Sequence, residues 1–210
     1  MTVTAYYLQY DADLIDEFDV DHVAEFVRVA ELIVLAGLNL PDEVPVDGPV
    51  LAEASWEALD EIDFPNNNSG WPIMSLRMLD VLAGVGSLPR HRLIPVRMID
   101  DSVPDAERTD LAGRLRPEVL RDDFVGFHVL EHDGRLDWGR SDCEQDPDIE
   151  RFARPLRSMV LQPFPNGMPP VFRVDAAPFD LFVSPEAKAA LEAAGIGGVV
   201  YMPIGSYTVI

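Results

Sequence analysis

Apolar and polar positions along this chain switch repeatedly between a two-residue and a near-four-residue period, and neither period lasts long. Residues 4–10 (TAYYLQY) are aromatic-rich and read as a strand. Asp19 offers an acidic N-cap ahead of Val23, Phe26, Val27 and Ala30, whose spacing predicts a helix. Residues 32–40 fit a strand as well as a helix, since a short apolar run satisfies both periods. Beyond Pro41, Pro45 and Pro49, residues 51–62 again place apolar side chains near helical spacing.

Residues 64–70 (FPNNNSG) read as an open loop, followed after Trp71-Pro72 by a short strand that enters a helix. Ser75 is the expected N-cap of that helix, Leu76, Leu79, Val81 and Leu82 its apolar face, and Gly84 its stop. Residues 91–99 alternate like a strand, with Pro95 arguing for an edge or a bulge. A charged stretch, 100–122, has room for a short helix. The clearest strand is 124–131, with a turn at Asp133-Gly134. Short strands are expected at 157–162, 170–174 and 181–183. Ser184 and Pro185 then open an alanine-rich helix that Gly195 ends, and 198–203 is a closing strand. Strands and helices intermix without regular alternation. This predicts an α+β fold, compact, with mixed or mainly antiparallel sheets of short strands packed with a few helices. One domain over 1–210 is expected, divisible into an N-terminal sub-region, 1–63, and a core, 64–210.

Charge changes the picture most. The chain has 37 acidic and 16 basic residues, a net of −21. Residues 1–70 hold sixteen acids against Arg28 alone, a net of −15, and the remaining 140 hold 21 acids and 15 bases, a net of −6. Such a chain lacks the cations that phosphate backbones or anionic membranes demand. It suits a basic protein partner, steered toward the N-terminal half. Acidity that merely maintains solubility accounts for the same numbers. The single cysteine, Cys143, permits no internal disulfide, and the N-terminus lacks the basic start and apolar run of a secretory signal. A cytoplasmic protein is the expectation.

Local chemistry is thin. His128, Glu131 and His132 are close enough to suggest a metal site, but no third ligand of suitable spacing accompanies the two histidines. Acids flank Cys143 and disfavour its thiolate. Ser75 and Ser184 lack the setting of a nucleophile elbow, and helix capping explains both. The glycines at 195, 197 and 198 follow a helix instead of opening one, so they cradle no phosphate. No metal or other cofactor is expected, and no catalytic residue. The acids Asp11, Asp13, Asp16, Glu17 and Asp19, with Asp60, Glu61 and Asp63, are the candidate contacts for a basic partner. Trp56 and Trp71 flank the second group. Tryptophan is favoured both at interface hot spots and in cores, and Trp71 is the candidate aromatic anchor.

Two blocks carry a resemblance. One is Asp63 with the following FPNNNSGWPIMSLRMLDVL, and the other is the FRVD strand followed by LFVSPEAKAALEAAGIGGVVY. In this order and spacing they resemble the immunity protein 11 family of bacterial polymorphic toxin systems, over residue 64 to the C-terminus. The matching positions are Gly70, Pro72, Ser75, Leu79 and Leu82, then Phe172, Phe182, Val183, Ser184, Leu191, Gly195, Gly198 and Val199. These are caps, stops and core positions. The resemblance implies a cytosolic antidote that neutralises a cognate toxin by direct binding and occlusion. The reading from a different class is a small-molecule-binding domain or enzyme with a dispersed site, which a pocket of converging polar groups would reveal.

Overall fold

The computed structural model describes residues 4–18, 22–27 and 49–206. The fold is α+β: two five-stranded sheets and a two-stranded ribbon, with short helices, among them α4 (Asp105–Arg108), between and beside them. The first sheet is built from β1 (Tyr6–Tyr10), β7 (His132–Asp133), β10 (Val171–Val174), β11 (Ala177–Val183) and β12 (Val199–Pro203), in the order β12-β1-β11-β10-β7. It is antiparallel except where β10 runs parallel to β7. The second sheet, ordered β2-β3-β5-β6-β4, contains β2 (Ala24–Phe26), β3 (Val50–Ala54), β4 (Ile73–Ser75), β5 (His91–Asp100) and β6 (Leu120–Val129). β8 (Asp142–Gln145) and β9 (Ala153–Ser158) form the ribbon.

Alternation along the strands sorts the core into three clusters. Leu8, Val171, Leu181 and Val183 of the first sheet meet Met74, Val125, Phe127 and Val129 of the second. The helices α3 (Leu76–Val85) and α5 (Pro185–Ala193) contribute Met78, Leu82, Ala187 and Leu191 to the same cluster. The far face of the second sheet packs Phe26, Trp71, Ile94, Val96, Met98 and Phe124 against α2 (Trp56–Glu61) through Ala58 and Leu59. Phe172, Val174 and Phe182 cover the far face of the first sheet with Leu156 of the ribbon.

Several sequence expectations change on the structure. The apolar spacing of Val23 and Phe26 suggested a helix, yet residues 24–26 form β2, paired antiparallel with β3. The loop at 64–70 decides this. Asn66 accepts from Val23 N–H at 2.7 Å, Asn68 accepts from Phe26 N–H at 3.1 Å, and the Asn66 carbonyl accepts from Ala24 N–H at 3.1 Å. That loop is therefore closed onto the edge of β2. Residues 51–62 divide into β3 and α2 at Ser55, whose hydroxyl caps α2 by accepting from Ala58 N–H. α3 runs past Gly84 to Val85, with Leu76 exposed at its start. Pro95 lies inside a strand flanked on both sides, but β3 begins to pair with β5 only at Val96. The missing N–H thus falls where, among the described residues, β5 has no neighbour on that side.

Candidate functional site

The acids named from sequence fall into two short helices and the residues that flank them. α1 (Ala12–Glu17) carries Asp13, Asp16 and Glu17, and α2 carries Glu57, Asp60 and Glu61; neither holds a basic residue. Asp11 opens α1, its carboxylate accepting from Leu14 N–H at 3.3 Å. Asp19 and the side chains of Asp16 and Glu17 lie outside the described residues.

One loop, residues 195–198, ties the two helices together. The Gly198 carbonyl accepts from Asp11 N–H at 3.2 Å, at the start of α1. The Gly197 carbonyl accepts from Asp63 N–H at 3.0 Å, just past the end of α2. Gly195 and Gly198 have φ of +65° and +76°, a region glycine occupies without strain. At Gly197 the requirement is steric, because a Cβ there would stand 1.9 Å from the Glu61 carbonyl oxygen. Leu14 and Phe18 then pack on the cluster that holds Leu59 and Ile62. Asp13, Glu57, Asp60 and Glu61 are exposed on this unit. Asp60 pairs with Arg121 at 2.7 Å, in solvent.

Two expected contacts are corrected. Asp63 is 6% exposed and turns inward. It accepts from Ser75 Oγ at 2.5 Å, from Gly197 N–H at 3.0 Å and from Arg77 through Nε and Nη2. Burial alone would raise its pKa, but the hydrogen bonds from Arg77, Ser75 and Gly197 outweigh it and hold the carboxyl below its ordinary range. Asp63 therefore anchors α2, α3 and the 195–198 loop to one another and is not a partner contact. Trp71 is fully buried, 5.9 Å from Phe26 by ring centroids, over a Gly126 that has no room for a Cβ. An anchor tryptophan must be accessible, so Trp71 is a core residue.

The other motif positions hold a turn, a core position and two helix caps. Gly70 takes φ of +66° in the turn after Asn67, and Pro72 is buried. Ser75 Oγ accepts from Met78 N–H at 3.0 Å, and Ser184 Oγ from Ala187 N–H at 3.1 Å. Sequence reasoning missed Arg77 and Arg121. Arg77 meets its carboxylate fourteen residues away, and Arg121 bridges Asp60, sixty-one residues away, and Asp123, two residues away, so only the last of these pairs leaves a local signal in the sequence.

The remaining candidates converge on little. Among the described residues no group of histidine, cysteine, aspartate and glutamate is arranged to hold a metal ion. His132 is pushed down to about 4 by burial and by the guanidinium of Arg173, its partner in register on β10. A buried cation in that position also opposes a bound metal. Arg173 is 1% exposed and donates to the Pro178 carbonyl at 2.7 Å. Burial raises the Cys143 thiol, with Asp142 adding to the effect. A cleft of about 680 Å³ lies between the end of α3 and the start of α5, but Glu186 is the sole charged residue of its described lining. No helix among the described residues is long and apolar enough to cross a membrane. Comparison with protein-family models and with curated proteins returns no match.

Proposed function

We propose that this protein is a cytoplasmic inhibitor that binds a basic protein, a cognate bacterial toxin, through the acidic face of α1 and α2. The observation that carries the reading is the joining of two base-free helices, six acids between them, by one loop. Carboxylates so placed raise the rate of encounter with a cationic surface and pair with its arginines on docking. The resemblance of residues 64–210 to the immunity protein 11 family supplies the toxin as partner, and occlusion as the mode of action.

Capture from native lysate with this protein as bait, followed by identification of what is bound, supplies the partner for measurement. The variant Glu57→Gln/Glu61→Gln then removes two exposed carboxylates that pair with no described residue. Association should slow several-fold at about 50 mM salt and converge with the parent at about 500 mM, where screening is nearly complete. Equal rates at both salt concentrations would reject the face.

A further inference from the structure

We infer that the outer edge of β12 receives an extended, uncharged segment of the partner, added as a strand, with lysine or arginine at the end that meets α1. The inference rests on the acidic-face reading and specifies what docks beside it. Among the described residues β12 is the outermost strand of its sheet, paired only with β1. Two hydrogen bonds fix the phase of that pairing: Asp11 N–H to the Gly198 carbonyl at 3.2 Å, and Ile204 N–H to the Ala5 carbonyl at 3.1 Å. In an antiparallel ladder the bonded positions alternate. Residues 198, 200, 202 and 204 therefore face β1, and Val199 and Tyr201 turn their N–H and C=O groups outward. No described backbone group meets them.

Edge strands are ordinarily blunted by charge, by proline or by a bulge. β12 (VVYMP) has Pro203 at its end and no charge, and the eighteen residues from Ala193 to Ile210 carry none, although a quarter of the chain is charged. Val200 is 37% exposed, and the buried Tyr201 Oη has no hydrogen-bond partner among the described residues. Lys188 lies over the rings of Tyr6 and Tyr201 and is already paired with Glu192 at 2.5 Å. The acidic helix α1 begins at the Val199 end of this edge, through the Asp11–Gly198 bond. A strand arriving there satisfies the outward groups by main-chain bonds. A cation at its end meets Asp11 and Asp13. A second copy is the poorer occupant, because each copy brings a net charge of −21.

The probe is a blocked peptide of arginine and lysine followed by alternating threonine and valine, added to the full chain. Slowed hydrogen exchange at the Val199 and Tyr201 amides is expected. Affinity should fall roughly tenfold when alternate peptide nitrogens are methylated, a change that removes main-chain bonds without touching the protein. Val199→Pro, which deletes one outward N–H and leaves the bonds to β1, should weaken binding similarly. Unchanged exchange at millimolar peptide, or equal binding of the methylated peptide, overturns the proposal. Protection that grows with protein concentration alone assigns the edge to a second copy and overturns it too. The acid-face variant reads a different surface. Peptide binding with no loss of association in Glu57→Gln/Glu61→Gln keeps the edge and removes the face, and the converse keeps the face and removes the edge.

Discussion

Within residues 60–63 the carboxylate of Asp60 reaches Arg121 in solvent, Glu61 is exposed, and Asp63 turns inward to Ser75, Arg77 and Gly197. Asp63→Ala strands the Ser75 hydroxyl and the Gly197 N–H in a buried site. Hydrogen bonds to a charged group contribute about 1.5–3 kcal/mol each, and the largely exposed Arg77 adds little. A loss near 3 kcal/mol in urea unfolding is expected. The pH dependence follows from the lowered carboxyl pKa. Stabilisation by the charged form is complete above the unfolded-state value, about 3.9, and disappears as pH falls through the lower folded value. The parent should lose stability in that acid window, and Asp63→Asn should lose less. A parent and variant with parallel pH profiles would show that the charge on Asp63 contributes nothing.

At the scale of elements, the loop 195–198 is the joint on which the acidic face depends, and Gly197→Ala tests it. The added Cβ would overlap the Glu61 carbonyl, a backbone atom that no side-chain rotation relieves. The loop must withdraw from α2. Faster exchange is expected at the Asp11 and Asp63 amides, with the α5 amides unaffected. Unchanged exchange at both positions would mean that α1 and α2 are held by packing alone. Much at this scale was legible in the sequence. Ser75, Ser184, Pro185 and Gly195 mark α3 and α5 because caps and stops are local chemistry. The rest was not legible, for reasons that are also physical. Val23 and Phe26 share one spacing with a helix, and the asparagines that fix them as a strand lie more than forty residues away. Nothing local separates Asp63 from Asp60 and Glu61. Its inward turn depends on Gly197, 134 residues on. The edge of β12 was legible as a strand but not as an edge, since strand order is a property of the assembled sheet.

Across the whole molecule, 37 acids against 16 bases set a conflict between stability and recognition. Repulsion among like charges opposes the compact state, and it is strongest where residues 1–70 concentrate a net charge of −15. Salt screens this repulsion, and it also weakens the surface ion pairs, each of which contributes about 1 kcal/mol or less. With acids in more than twofold excess the repulsive contribution dominates. The melting temperature of the parent should therefore rise between about 10 and 300 mM sodium chloride. Glu57→Gln/Glu61→Gln removes charge where no described cation answers it, so its melting temperature should exceed that of the parent at low salt and approach it at high salt. The same variant is expected to associate more slowly with the partner. Opposite signs in the two measurements are what a face kept acidic for binding requires, because such a face is retained against its effect on stability. A variant that gains stability and binds as well as the parent would leave solubility as the whole reason for the charge. A melting temperature that falls as salt is added would show instead that the ion pairs outweigh the repulsion.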